Sequence, residues 1–109
     1  MLNKYFSVYV PSTYEITKKI NNKPFVKQVS KAMARLFGGA TAYKAQGSWI
    51  AENKQLVNED ITIIKSYCDN ETFSKSQSKV VAIAKALAEA MKQEAVSIET
   101  AEGLQFISK

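Results

Sequence analysis

Side chains that commonly carry enzyme chemistry are sparse in this chain of 109 residues. It contains no histidine and a single cysteine, Cys68. The absence of histidine removes the commonest general base, the commonest zinc ligand and the usual serine–histidine and cysteine–histidine pairs. Cys68 ends an apolar run, which predicts a small buried hydrophobe rather than a nucleophile. We therefore predict no catalytic residue, no metal site and no cofactor, and most familiar hydrolase mechanisms are disfavoured.

Two short patterns resemble chemical motifs but have simpler structural explanations. Glu59 and Asp60 are adjacent at the start of a predicted strand. Neighbours in a strand point to opposite faces, so these carboxylates cannot easily share a proton or a metal ion. Gly38-Gly39-Ala40-Thr41 follows a predicted helix, whereas a phosphate loop precedes its helix and contains Gly-Lys-Ser/Thr. We interpret both glycines as the end of that helix.

Charge is the most informative feature of the sequence. Residues 1–51 carry eight basic side chains and one acidic side chain, whereas residues 52–109 carry seven basic and nine acidic ones. Lys27, Lys31 and Arg35 recur every fourth residue, a spacing that aligns them in one stripe along a helix. The predicted anion-binding residues are Lys18, Lys19, Lys23, Lys27, Lys31 and Arg35.

The basic stripe favours a partner that neutralises it, because like charges at this spacing destabilise a helix slightly. A nucleotide, a nucleic acid or an acidic protein surface would each qualify. An ordinary solvated helix face explains the stripe about equally well. The aromatic side chains predicted to line a pocket are Tyr9, Tyr14, Tyr43 and Trp49, although each also suits ordinary packing at a half-buried strand or loop position.

Apolar periodicity assigns these residues to a small set of elements. Alternation over residues 3–10 predicts a first strand, and residues 11–24 lack periodicity and are predicted to form a long loop. Phe25, Val29 and Leu36 recur at helical spacing, which predicts a helix from about residue 24 to 37. The remaining predicted elements are strands at 40–50, 60–68, 95–100 and 104–107, and a helix at 79–93 with Ser78 as its N-cap.

The order of these elements is βαββαβ with an extra C-terminal strand. It predicts an α+β, ferredoxin-like (split βαβ) sandwich, with two helices on one face of an antiparallel four- to five-stranded sheet. Within that sheet, strand 60–68 is apolar on both faces and is predicted to be central, and Gly47 is predicted to mark a bulge. The length suits one domain over residues 1–109.

The sequence also bears on the compartment of the protein. No apolar run approaches the ~20 residues that span a bilayer. The N-terminus lacks the apolar core and cleavage site of a signal peptide, and a single cysteine cannot form an internal disulfide. We predict a cytoplasmic protein with no membrane partner.

Three short motifs of the chain are Phe37-Gly38-Gly39-Ala40-Thr41, Gly47-Ser48-Trp49 and Val57-Asn58-Glu59, and Gln93-Glu94-Ala95-Val96 fits the same pattern. Together they resemble a small family of uncharacterised ferredoxin-like proteins of bacteria, phages and other mobile elements. The resemblance spans residues 37–107. It implies the same fold without implying an activity, and it suggests a phage or mobile-element accessory protein that acts against host defence.

Three functions remain open from the sequence. The first, which we predict, is a non-catalytic binding module that recognises an anionic partner (nucleotide or nucleic acid) through the first helix and the 11–24 loop. The second is a protein–protein interaction module or a dimeric inhibitor of a larger host protein, with a homodimer as the expected oligomer. The third is a small enzyme that works without histidine.

Overall fold

The strand order is that of the predicted ferredoxin-like sandwich. A computed structural model describes all 109 residues. Five strands form one antiparallel sheet, and two helices pack on one of its faces. The elements along the chain are β1 (Lys4–Pro11), β2 (Thr13–Tyr14), β3 (Lys18–Lys19), α1 (Lys23–Phe37), β4 (Thr41–Ile50), β5 (Leu56–Cys68), α2 (Asn70–Ala90), β6 (Ala95–Thr100) and β7 (Gly103–Ser108). The sheet order is β4–β5–β1–β6–β7, which confirms the predicted fold class. β5 lies in the interior of the sheet, next to β1, which is the middle strand.

Alternation along β1 divides the sheet into a helix-covered face and an open face. Phe6, Val8 and Val10 point toward the helices, are at most 1% exposed, and belong to a core cluster of 16 buried residues. Tyr5 and Tyr9 point the other way, because successive side chains of a strand alternate. The side of the sheet that carries Tyr5 and Tyr9 is called the open face below.

The first helix forms where the sequence predicted it. Pro24 lies in the first turn, where its missing N–H leaves no carbonyl unpaired. Gly38 ends the helix in a left-handed conformation (φ 86°) that favours glycine, and its N–H donates to the carbonyl of Ala34 at 2.7 Å. Val29 and Met33 bury the inner side of α1 against the sheet.

The second helix begins nine residues earlier than predicted, at Asn70 rather than at 79, and ends at Ala90 rather than at 93. Its N-cap is Asp69, whose carboxylate accepts a hydrogen bond from the Thr72 N–H at 2.8 Å, so the prediction of Ser78 as the cap is wrong. In the first turns only Phe73 and Ser76 are buried. The first two turns therefore have a polar sequence in which apolar periodicity is too sparse to detect.

Replacing Asp69 with alanine is expected to lower the melting temperature by a few degrees, because the helix N-terminus loses a capping acceptor. The Thr72 N–H lowers the pKa of Asp69 below its usual value. The contribution of the cap to stability is therefore present above the ordinary aspartate pKa and is lost as the pH falls through the lowered one. Thermal denaturation at neutral and acid pH measures both effects. Asp69→Asn keeps a capping oxygen and should melt near wild type at neutral pH, whereas an unchanged Asp69→Ala curve would contradict the capping role.

The β4–β5 hairpin extends beyond the end of β1. β5 begins at Leu56, four residues before the predicted start, and pairs with β4 in an unbroken register. Gly47 lies directly opposite Glu59 in that register, so the predicted bulge is wrong. Because β1 ends at Pro11, opposite Ile61, the first residues of β5 pair with β4 alone.

The predicted 11–24 loop contains a short two-stranded ribbon, β2 paired with β3. The ribbon is joined to the residues that follow α2. The Glu15 N–H donates to the carbonyl of Met91 at 3.1 Å, and the side-chain amide of Gln93 donates to the carbonyl of Thr13 at 2.9 Å. Much of this segment is therefore bonded to the body of the domain.

Two further predictions concern Cys68 and the membrane. Cys68 is 4% exposed in the core, and burial raises the pKa of its thiol, which confirms the predicted buried hydrophobe. Neither α1 nor α2 combines the length and the apolarity needed to cross a membrane. The cytoplasmic location remains a prediction.

Candidate active site

The open face of the sheet carries large apolar and aromatic side chains that are well exposed. The exposed fraction is 70% for Phe106, 52% for Leu104, 50% for Tyr67, 49% for Trp49 and 44% for Tyr43. All five point to the side opposite the helices in the register of the sheet. A wide exposed apolar surface of this kind marks a site of binding or association.

A cavity of about 460 Å³ opens on this face near the end of β1. Its volume lies in the range of small-molecule sites. All five strands of the main sheet contribute to its walls, and Gln93 reaches it from the segment before β6. Its polar and aromatic lining side chains are Tyr9, Trp49, Glu59, Gln93, Ser97 and Phe106.

Glu59 is a carboxylate without a partner in this cavity. It is half-buried, and it takes part in neither of the two salt bridges and in none of the side-chain hydrogen bonds. Its cross-strand neighbour is Gly47, which has no side chain to cover it, and Trp49 and Ile61 also line the cavity. Burial raises the pKa of Glu59 above its usual value. Such a group suits binding of a cation or exchange of a proton.

Tyr9 is held by a second carboxylate on the open face. Its hydroxyl donates to Oε1 of Glu99 at 2.6 Å, and the Tyr5 hydroxyl donates to Oε2 of the same residue at 3.4 Å. Burial and the hydrogen bond to Glu99 raise the pKa of Tyr9 to about 12. Tyr9 is therefore a fixed, neutral phenol at physiological pH, and it does not serve as a base.

Lys65 lies farther along the same face, between two aromatic rings. Its Nζ is 4.2 Å from the ring centroid of Tyr5 and 4.9 Å from that of Tyr67. A hydrogen bond with Tyr67 raises the pKa of Lys65, so it is a cation at neutral pH. Lys65 lies six positions after Glu59 in β5, or about 20 Å at ~3.3 Å per residue, and it does not line the cavity.

Gln93 is 7% exposed and offers an acceptor to the cavity. Its amide nitrogen lies 2.9 Å from the Thr13 carbonyl, 3.3 Å from the Thr13 hydroxyl and 3.3 Å from the Met91 carbonyl. Those contacts occupy both N–H groups. The side-chain carbonyl oxygen is therefore the group that Gln93 can present to a ligand.

The predicted anion-binding residues lie away from the cavity. Lys23, Lys27, Lys31 and Arg35 are exposed on α1, which covers the opposite face of the sheet, and Lys18 and Lys19 lie on β3. None of the six lines the cavity. Anion binding by these residues stays a prediction.

The predicted pocket aromatics separate into two pairs. Tyr9 and Trp49 line the cavity, whereas Tyr43 lies on the open face outside it and Tyr14 lies on β2, with its ring centroid 5.5 Å from the Nζ of Lys92. Sequence reasoning dismissed Glu59, quoted Gln93 only as part of a family motif, and did not single out Ser97 or Phe106. The alternation along β5 and β7 was the available signal, since it places Glu59 and Phe106 on the face opposite the core.

Fold and cavity together define the class: a ferredoxin-like α+β domain with a fifth edge strand and a ligand-sized cavity on its open face. No protein-family model and no curated protein matches the chain. A phage SAM lyase in complex with S-methyl-5'-thioadenosine superposes with a TM-score of 0.70 and 21% identity, over 100% of this chain and 94% of that chain. Its apo state gives a TM-score of 0.68 and 22% identity, over 99% and 90%.

A third solved structure shares the fold in part of a larger protein. A Bacillus cereus protein related to NIF3 has a TM-score of 0.55 and 17% identity, and the match covers 94% of this chain but 27% of that chain. At these identities the three likenesses establish the fold. The resemblance to the uncharacterised mobile-element family stays a prediction.

The predicted non-catalytic binding module is wrong in the light of these comparisons. The full-length structural neighbours are an enzyme, and the basic stripe that motivated the prediction lies on the side of the domain away from the cavity. The error has a physical origin. A run of lysines is visible in the sequence, whereas a cavity built by five strands exists only after those strands pair.

Proposed function

We propose that this protein is an enzyme that cleaves S-adenosylmethionine at its sulfonium and releases S-methyl-5'-thioadenosine. The observation that carries the proposal is the unpartnered Glu59 carboxylate beside an aromatic wall, in a cavity of about 460 Å³. The full-length likeness to a phage SAM lyase supports it. Of the three functions left open by the sequence, the proposed activity corresponds to the third, a small enzyme that works without histidine.

The lining of the cavity offers a complement for each part of this substrate. Trp49 and Phe106 present exposed rings on which an adenine can stack. The carbonyl oxygen of Gln93 and the hydroxyl of Ser97 can accept hydrogen bonds from the nucleoside. Glu59 supplies a negative charge for the ammonium group of the amino-acid chain of the substrate.

The proposed reaction requires no side chain that the protein lacks. The bond between the sulfonium sulfur and Cγ of the amino-acid chain breaks, and its electron pair stays on sulfur to give the neutral thioether. The carboxylate oxygen of the substrate forms a new bond to the same Cγ, which gives a five-membered lactone. No water, oxidant or reductant is consumed. Histidine is unnecessary, and Cys68 is buried in the core beneath the helices, away from the cavity.

The cavity accelerates this step by positioning the substrate and by excluding water. The flexible chain must fold so that its carboxylate reaches Cγ, and a site that holds it folded removes that entropic barrier. The step neutralises one anion and one cation, so apolar walls that strip water from both favour it. A carboxylate against the sulfonium would stabilise a charge that the transition state loses. We therefore assign Glu59 to the substrate ammonium.

The test is incubation of the purified protein with S-adenosylmethionine, followed by liquid chromatography with mass spectrometry. We expect S-methyl-5'-thioadenosine and homoserine lactone as products. The amount of the nucleoside should equal the summed amounts of the lactone and its hydrolysis product. Recovery of intact substrate after long incubation with excess protein would reject the proposal. Detection of an unsaturated amino acid in place of the lactone would show that the protein cleaves the substrate by elimination rather than by ring closure.

Consumption of S-adenosylmethionine suits the predicted role of a phage or mobile-element accessory protein. It removes the methyl donor of the host, so host defence reactions that depend on that compound would lose it. The nucleoside part of the substrate takes the place of the predicted nucleotide ligand. A cytoplasmic location would place the enzyme with its substrate.

We also propose that two copies associate through the part of the open face outside the cavity, because the exposed rings of Tyr43 and Tyr67 gain from being covered and the opposite charges of Lys65 and Glu99 lie on the same face. Light scattering after size exclusion should give a dimer mass. Tyr43→Glu places a charge on this face outside the cavity and should shift the protein to monomer. Lys31→Glu on α1 is the matched control and should leave the mass unchanged. A wild-type monomer at high micromolar concentration would contradict the proposal.

A further inference from the structure

We infer that the cavity recognises its substrate through positive charge and leaves the substrate carboxylate unbound, so that decarboxylated S-adenosylmethionine binds but is not cleaved. The inference rests on the proposed function and names the part of the substrate that the site selects. Glu59 and Tyr9 are the ionisable lining residues, and no lysine or arginine lines the cavity.

Lys54 in the β4–β5 turn and Lys109 after β7 are exposed and do not line the cavity, and three other basic residues on the adjoining elements are directed elsewhere. Lys44 pairs with the buried Thr62 and so points to the helix-covered side of β4. Lys65 lies against the rings of Tyr5 and Tyr67, about 20 Å from Glu59 along β5. Lys92, next to Gln93 in the chain, forms a salt bridge with Glu15 at 3.4 Å.

This distribution of charge is the one that intramolecular ring closure needs. A substrate carboxylate held by lysine or arginine would be stabilised as an anion and would be a weaker nucleophile toward Cγ. In this cavity it meets Tyr9, Gln93 and apolar walls, and it shares the site with the negative Glu59. The carboxylate therefore stays free to attack, and its repulsion from Glu59 favours a folded chain that directs it away from that residue.

Decarboxylated S-adenosylmethionine keeps the sulfonium and the ammonium but lacks the nucleophile. Because the decarboxylated compound has no carboxylate, it loses no ion pair with the protein and is not repelled by Glu59. We therefore expect competitive inhibition of S-adenosylmethionine cleavage, with the inhibitor recovered intact. S-Methyl-5'-thioadenosine carries neither cation, so its inhibition constant should be at least about tenfold higher, the equivalent of one charge-assisted contact.

The experiment combines inhibition kinetics with calorimetric titration of both compounds into wild type and Glu59→Gln. The variant should lose the tenfold preference for the decarboxylated compound while binding S-methyl-5'-thioadenosine as wild type does. Cleavage of S-adenosylmethionine without inhibition by the decarboxylated compound would overturn the inference, as would cleavage of that compound. Failure to cleave S-adenosylmethionine would instead reject the proposed function, while calorimetry would still test the charge preference.

Discussion

Glu59→Gln is expected to reduce kcat/KM for S-adenosylmethionine at least about 30-fold, measured by release of S-methyl-5'-thioadenosine. Removing one partner of a desolvated charge pair costs about 2–5 kcal/mol, and the lower end applies because Glu59 is only half-buried. The glutamine keeps the size of the side chain and loses the charge that the substrate ammonium requires. Equal activity of wild type and variant would remove Glu59 from the site.

Asp60→Asn is the matched control for this substitution. Asp60 is the next residue in β5, but it points to the other side of the strand, where its Oδ1 accepts a hydrogen bond from Gln46 at 3.4 Å. Removal of its charge should leave kcat/KM near that of wild type. A loss as large as that of Glu59→Gln would indicate a general effect of negative charge rather than a site.

Stability measurements separate a role of Glu59 in the site from a structural role. Burial raises the pKa of Glu59, so the native state holds its proton more tightly than the unfolded state does. The free energy of unfolding of the wild type therefore falls as the pH rises from the ordinary glutamate pKa through the raised one. Glu59→Gln lacks this decrease, and at neutral pH it should melt at or above the wild-type temperature despite its loss of activity.

Phe6→Ala is expected to destabilise the fold by about 3–5 kcal/mol, the usual range for a buried aromatic truncation. Phe6 is 1% exposed, and its ring centroid lies 4.7 Å from that of Phe73 and 5.4 Å from that of Phe37. One ring thus joins β1 to both helices. Urea denaturation followed by circular dichroism measures the loss. Alanine is the substitution to use, because a polar side chain at this position would add the cost of burying a polar group.

Phe106→Ala is the matched control for the core substitution. The ring of Phe106 is 70% exposed on the open face, so its removal should change the free energy of unfolding by less than about 0.5 kcal/mol. It should raise KM, because the cavity loses a stacking surface. A loss of stability comparable to that of Phe6→Ala would show that Phe106 packs in a core rather than at a site.

The sequence determined the elements whose signals are local. Alternation of Phe6, Val8 and Val10 was enough to predict β1, and Pro24 with Gly38 bounded α1, because each signal depends on a few neighbouring residues. The order of those elements then restricted the topology to the ferredoxin-like sandwich. The start of α2 was missed because its first turns bury only Phe73 and Ser76.

Only the tertiary structure decided where the candidate site lies. Glu59, Tyr9 and Phe106 are far apart in the chain and share a cavity because β5, β1 and β7 belong to one sheet. Sequence spacing assigned Glu59 to one side of a strand, but burial among residues of other strands determines its pKa and its lack of a partner. The basic stripe was visible from spacing alone. Spacing could not show that the thickness of the domain separates this stripe from the cavity, because the direction of a helix face is fixed only by what that helix packs against.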